Sequence, residues 1–81
     1  MSDKKDMVNN PAHYQSKNGI ECIDAIEAAT EDLKGAEAVY TANCIKYLWR
    51  WNKKNGVEDV RKAIWYANRL IEKLEQKKGS N

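Results

Sequence analysis

The sequence predicts a small all-α domain built from three helices. Apolar residues recur every three or four positions in three segments, and no segment alternates apolar and polar residues as a β-strand does. Gly35 and Gly56 stand at the two joints between those segments. The chain has 81 residues, enough for one hydrophobic core and one domain. Because so small a core gives marginal stability, we expect the helices to assemble into a homo-oligomer.

The chain divides into three parts along its length. Residues 1–19 hold the only proline and are predicted to form an extended N-terminal arm that ends in a turn. Residues 20–76 form the three-helix domain, with helices predicted over residues 20–30, 36–53 and 57–76. Residues 77–81 are expected to fray as a C-terminal tail, because chain ends are held by few contacts.

The first predicted helix separates an apolar stripe from its acids. The stripe consists of Cys22, Ile23, Ile26, Ala29 and Thr30. Glu21 and Asp24 lie in the first turn, where carboxylates complement the positive end of the helix dipole. The same two carboxylates share one helical face and are candidate ligands for Mg²⁺. The sequence leaves both interpretations open.

The second predicted helix is apolar over more than half of its circumference. The residues of this arc are Tyr40, Cys44, Ile45, Tyr47, Leu48, Trp49 and Trp51. One partner helix cannot cover so wide an arc, because a helix that is apolar on most sides is buried on several sides. The arc therefore predicts that neighbouring subunits complete the core.

The remaining strip of the second helix is cationic. It holds Asn43, Lys46, Arg50 and Lys53, at i, i+3, i+7 and i+10, with no acid among them. Arginine offers a bidentate fork and lysine a point charge to phosphate, so the strip predicts an anionic ligand. Residues 20–37 carry six acids against one base, so packing of the strip against the acidic first helix explains it equally well.

The third predicted helix has a core stripe and an opposite face rich in cations and aromatic rings. The core stripe consists of Val60, Ala63, Ile64, Ala67, Leu70, Ile71 and Leu74. The opposite face consists of Lys62, Trp65, Tyr66, Arg69 and Lys73. Rings among cations suit a nucleobase stacked on tryptophan or tyrosine with its phosphates held by the bases. Aromatic contacts between subunits are the competing interpretation.

The predicted arm contains the dense polar and aromatic group Asn10-Pro11-Ala12-His13-Tyr14. An ordered loop with such residues often carries function. His13 is the one candidate for acid or base catalysis and also for phosphate contact, since its imidazole titrates near neutral pH. A structural role for this histidine is the alternative.

Composition and missing motifs exclude several classes of protein. The polar start has no signal peptide and no stretch approaches the roughly 20 apolar residues of a membrane span, so we predict a cytoplasmic protein. In that reducing compartment Cys22 and Cys44 are expected to be free thiols. A net charge of +2 falls short of the basic footprint of a duplex nucleic-acid binder. No phosphate-binding Gly-x-x-x-x-Gly-Lys-[Ser/Thr] loop is present.

Four sequence blocks, in order, resemble a known family. They are Asn10-Pro11-x-His13-Tyr14, Glu21-Cys22-Ile23-Asp24-Ala25-Ile26, Asn43-x-x-Lys46-Tyr47-x-x-Arg50 and Lys54-x-Gly56-x-x-Asp59-x-x-Lys62-Ala63-x-Trp65-Tyr66. Over about residues 9–74 the chain resembles the small bacteriophage proteins described as nucleotide kinase-like. The resemblance implies a phage protein of the host-cell cytoplasm that handles nucleotides. It places at motif positions Asn10, His13, Tyr14, Asn43, Lys46, Arg50, Lys62, Trp65 and Tyr66.

Three functions follow as hypotheses. The first is nucleotide binding, which the resemblance extends to phosphoryl transfer to a nucleoside monophosphate with Mg²⁺. The second is a sponge that sequesters a cyclic nucleotide signal of host antiviral defence without turnover. The third is an adaptor that inhibits a host protein through the aromatic arc of the second helix. The candidate nucleotide-binding residues are Asn10, His13, Tyr14, Asn43, Lys46, Arg50, Lys62, Trp65, Tyr66 and Arg69.

Overall fold

The computed structural model describes the backbone of residues 18–79 and the side chains of residues 18–77. Its elements are α1 (Cys22–Thr30), α2 (Ala36–Arg50), one 3₁₀ turn (Trp51–Lys53) and α3 (Val57–Gly79). No strand occurs within residues 18–79, so the prediction of a small all-α chain with three helices is confirmed. Residues 1–17 of the predicted arm lie outside the described residues.

The ends of α1 and α3 differ from the predicted ends. The first helix begins at Cys22 because Glu21 is its N-cap, and the Glu21 backbone N–H donates to Oδ2 of Asp24 at 3.3 Å in a capping box. The third helix continues to Gly79, so residues 77–79 of the predicted tail are helical. Near that end, Nζ of Lys77 lies 2.7 Å from Oε2 of Glu37 in the first turn of α2.

The chain reverses direction tightly between α2 and α3. This reversal contains Gly56, where the sequence predicts a joint between two helices. After Arg50 the chain tightens into the 3₁₀ turn, so the last three residues of the predicted helix are not α-helical. The Gly56 backbone N–H donates to the Trp51 carbonyl at 2.8 Å. Gly56 has φ +60°, a left-handed conformation that favours glycine. This reversal lays α3 back along α2.

The second helix is the central element, since both α1 and α3 pack against it. Among the described residues only two apolar side chains are buried, Cys22 of α1 and Ala63 of α3. Ile23 and Ala29, which were expected in the α1 stripe, are exposed. No helix within residues 18–79 has the length and apolar character needed to cross a bilayer. The described core is therefore small even for a short chain.

The predicted core stripe of α3 is wrong for three of its residues. Ile64, Ile71 and Leu74 are 55%, 51% and 43% exposed. The face that packs against α2 is rotated toward Tyr66, which was expected on the opposite side. The cause is that Tyr66 stacks on Tyr47 of α2, with ring centroids 5.9 Å apart, and this contact fixes which side of α3 faces inward.

Candidate functional site

A buried ion pair joins the end of α2 to the first turn of α3. Arg50 is 7% exposed and Asp59 is fully buried. Nε of Arg50 donates to Oδ2 of Asp59 and Nη2 donates to Oδ1, both at 3.2 Å. The backbone N–H and the side-chain amide of Asn55 donate to the same two oxygens, again at 3.2 Å. Each carboxylate oxygen therefore accepts two hydrogen bonds.

The charge state of Asp59 follows from these contacts. Burial raises the pKa of the Asp59 carboxyl, but the hydrogen bonds from Arg50 and Asn55 outweigh it, so the pKa lies below its ordinary value. Asp59 is thus ionised at neutral pH, and its charge balances that of Arg50. This pair positions the two helices and places the Arg50 guanidinium 4.7 Å from the centroid of the Tyr47 ring.

Four aromatic rings between α2 and α3 form one cluster with Tyr66 at its centre. Tyr47 and Tyr66 are stacked, with centroids 5.9 Å apart and planes at 14°. Tyr40 lies 6.3 Å from Tyr66, and Trp65 meets the Tyr66 ring edge-on at 4.9 Å and 85°. The three tyrosines are half-buried, whereas Trp65 is 57% exposed. The cluster therefore includes a large ring that is open to solvent.

Two lysines flank this cluster at Tyr47. Nζ of Lys46 lies 4.8 Å and Nζ of Lys62 lies 5.5 Å from the centroid of the Tyr47 ring. In the part of the chain that the structure describes, neither ammonium is in a salt bridge. Two half-buried cations without a carboxylate partner therefore lie against one ring. Such a site attracts anions, because no neighbouring acid neutralises it.

Arg69 flanks the cluster at Tyr40 and Trp65. Its guanidinium carbon lies 5.6 Å from the Tyr40 centroid and 5.7 Å from that of Trp65. Nη2 of Arg69 donates to the Tyr40 hydroxyl at 3.2 Å, and Nη1 lies 3.5 Å from Oε1 of Glu72. These contacts hold the guanidinium beside the exposed indole of Trp65.

We call this set the cation–aromatic surface. Its members are Tyr40, Lys46, Tyr47, Lys62, Trp65, Tyr66 and Arg69. Five of the ten candidate nucleotide-binding residues belong to it. Tyr40 and Tyr47 were assigned only to a subunit interface, although their spacing of seven residues on the helix that carries Lys46 already put them on one side of α2.

The other predicted site residues lie elsewhere. Asn43 donates from its side chain to the Val39 carbonyl at 2.9 Å, within its own helix. Arg50 belongs to the buried pair, whose acid, Asp59, is supplied by the next helix and was not among the predicted site residues. Asn10, His13 and Tyr14 lie outside the described residues.

The predicted magnesium ligands are engaged in helix capping. Both side chains of the Glu21–Asp24 pair take part in the capping box at the start of α1. Within residues 18–79 no cluster of three or more histidine, cysteine or acidic side chains is arranged to hold a metal ion. A magnesium ion at these two carboxylates stays a prediction.

The two cysteines are free thiols, as predicted. Burial raises the pKa of Cys22, against a smaller opposing effect of Lys46, and burial also raises the pKa of Cys44. Sγ of Cys44 donates to the Ala63 carbonyl at 3.3 Å. Both thiols are therefore protonated at neutral pH and serve in packing.

Comparison with known proteins gives one family. A family model described as a protein of unknown function (DUF3310) matches residues 8–68. No curated protein and no solved structure matches the chain. The resemblance to nucleotide kinase-like phage proteins is thus wrong, because the matching model is of unknown function and nothing in the comparisons indicates a kinase-like family. Since the match covers most of the 81 residues, the chain belongs to the DUF3310 family.

Proposed function

We propose that the chain binds a nucleotide on the cation–aromatic surface. The observation that carries the proposal is the combination, on one surface, of two lysines without a carboxylate partner and a largely exposed tryptophan. A nucleotide has the matching chemistry, since it joins an anionic phosphate group to a planar aromatic base. Neither cations nor rings alone would specify such a ligand.

Phosphate is expected at the Tyr47 end of the surface. Lys46 comes from α2 and Lys62 from α3, so their ammonium groups approach the Tyr47 ring from two helices. Each ammonium presents three hydrogen-bond donors and one positive charge. Arg50 is not a proposed phosphate ligand, because its charge is balanced by Asp59. Its guanidinium instead supports the Tyr47 ring between the two lysines. The ammonium groups of Lys46 and Lys62 are the proposed phosphate ligands.

The base is expected on Trp65. Its indole is 57% exposed and is braced on one side by the edge contact with Tyr66 at 4.9 Å. Arg69 lies 5.7 Å from the Trp65 centroid and is held there by the Tyr40 hydroxyl. A base that stacks on such a ring contributes about 1–3 kcal/mol and needs no base-specific hydrogen bond. The surface therefore favours nucleotides as a class.

We also propose that the active form is a homo-oligomer. Only two apolar side chains are buried among the described residues, whereas Val57, Ile64 and Ile71 of α3 are 65%, 55% and 51% exposed. A chain with so small a core gains stability when a second copy covers apolar surface.

The binding proposal is tested by calorimetry on the full chain with three probes. ATP should bind more tightly than either tripolyphosphate, which lacks a base, or adenosine, which lacks phosphate. Recovery of unchanged ATP after incubation would indicate that the protein sequesters the nucleotide without turnover. A parallel titration with a cyclic dinucleotide tests whether a cyclic ligand is bound as well. Absence of ATP binding at low salt would contradict the proposal.

Trp65→Ala should weaken ATP binding about tenfold or more, because it removes the stacking platform. Tripolyphosphate binding should change little, since the lysines remain. Trp51→Ala is the matched control, because Trp51 is also exposed but lies outside the surface. Equal losses in the two variants, or a loss only in Trp51→Ala, would show that the base does not stack on Trp65.

A further inference from the structure

A second apolar feature runs along α3. Val57, Ile64 and Ile71 follow one another at intervals of seven residues and are 65%, 55% and 51% exposed. Between them, Val60 and Ala67 are half-buried. Leu74 continues the series and is 43% exposed. We call this series the α3 seam; its members are Val57, Val60, Ile64, Ala67, Ile71 and Leu74.

The spacing of the α3 seam is that of a helix that packs against another helix. Apolar residues alternate at steps of three and four, the a and d positions of a heptad repeat, over six consecutive positions. Isolated apolar residues on a surface need no partner, but an apolar seam over five turns, with four of its six members exposed, does.

We infer that the α3 seam packs against the α3 seam of a second copy of this chain, with the two helices antiparallel. A two-fold axis near residues 65 and 66 puts every member of the seam opposite another member. The resulting layers pair Val57 with Leu74, Val60 with Ile71, and Ile64 with Ala67, each twice in the dimer. No seam residue is then left facing water.

The charges beside the seam select this orientation. Arg61 lies on the outer flank of the seam near the start of α3, and Glu75 lies at the equivalent position two heptads later; both are exposed. An antiparallel pair brings Arg61 of one copy beside Glu75 of the other, and symmetry makes this contact twice. A parallel pair would leave these two residues about four helical turns apart.

The seam and the cation–aromatic surface lie on different sides of α3. At 100° per residue, Lys62 and Trp65 project well over 90° around the helix from the middle of the seam. Dimerisation through the seam therefore leaves the proposed nucleotide surface open. The seam rests on the proposed homo-oligomer, and a monomeric wild-type protein would contradict both. It is independent of the nucleotide-binding proposal, and either of those two can fail without the other.

Light scattering after size exclusion tests the seam on the full chain. The wild-type protein should have twice the monomer mass of 9.3 kDa. Ile64→Glu and Ile71→Glu should each give a monomer with unchanged helix content by circular dichroism, because both side chains are exposed. Leu48→Glu is the matched control: Leu48 is 52% exposed on α2, close to the 51% of Ile71, and its variant should remain a dimer.

The orientation is tested by charge reversal on the flank. Arg61→Glu should raise the dissociation constant of the dimer about tenfold, and adding Glu75→Lys should restore it, because the pairing is then reversed on both copies. A double variant as weak as Arg61→Glu would overturn the antiparallel arrangement. A monomeric wild-type protein, or dissociation by Leu48→Glu but not by the seam variants, would overturn the seam as the interface.

Discussion

Asp59→Asn is expected to lower the melting temperature by roughly 10 °C or more, the largest loss of stability that we predict for a single substitution. Asparagine keeps the shape of the side chain but removes its charge, so the Arg50 guanidinium is left buried without a counter-ion. The hydrogen bonds from Asn55 to an ionised carboxylate are weakened by the same change. Because the pair joins α2 to α3, the loss should appear as cooperative unfolding of the helices.

Thermal unfolding followed by circular dichroism measures this effect. Glu58→Gln is the matched control, since Glu58 is an exposed acid in the same first turn of α3 and its loss changes the helix-dipole interaction in the same way. The control should melt within a few degrees of the wild-type protein. Equal melting of the two variants would mean that the pair does not stabilise the fold.

The Arg50–Asp59 pair also makes the stability of the fold depend on pH. The pKa of Asp59 is lowered in the folded chain, so its stabilising effect is complete above the ordinary carboxyl pKa of about 3.9 and is lost as the pH falls through the folded value. Wild-type stability should therefore decrease on acidification below about pH 4. Asp59→Asn should lose less stability over the same interval, because it has no carboxyl to protonate there.

The double variant Lys46→Glu with Lys62→Glu is expected to weaken ATP binding by about 100-fold or more. Both ammonium groups lie against Tyr47, and replacing them with carboxylates turns attraction for phosphate into repulsion. A charge pair about 4 Å apart near a protein surface is worth from about 1 to about 4 kcal/mol, so two reversals account for a loss of this size. The salt dependence of the residual binding should also be shallower.

Calorimetric titration with ATP at about 50 mM and about 200 mM salt checks both effects. The control is Lys53→Glu with Lys54→Glu, which makes the same change in net charge at two exposed residues outside the cation–aromatic surface. If this control loses as much affinity as the first double variant, attraction by net charge alone explains the binding, and the assignment of the two lysines is wrong.

Much of the surface could be predicted because helix periodicity places side chains reliably over a few turns. Lys62, Trp65 and Arg69 lie within two turns of α3, so their common face follows from the spacing alone. The contribution of Tyr47 depends on how α2 is turned against α3. That angle is set by ring stacking between the helices, which no single-helix projection contains.

Two other features could not be predicted from the sequence, because they too depend on contacts beyond a single helix. Arg50 and Asp59 are nine residues apart and separated by a reversal, so their contact exists only once the Gly56 turn has folded. Ile64 and Ile71 form an apolar stripe, but periodicity does not say what covers a stripe. The structure leaves these two residues exposed, which is why they changed from predicted core to a candidate interface.

The central claim, that a nucleotide binds on the cation–aromatic surface, is tested most directly by nuclear magnetic resonance of ¹⁵N-labelled protein titrated with ATP. The indole N–H signals of Trp49, Trp51 and Trp65 are three internal reporters in one spectrum. The account predicts that the Trp65 indole and the backbone amides around Lys62 shift and saturate together, while the Trp51 indole stays in place. Saturable shifts at Trp51 with none at Trp65 would contradict it.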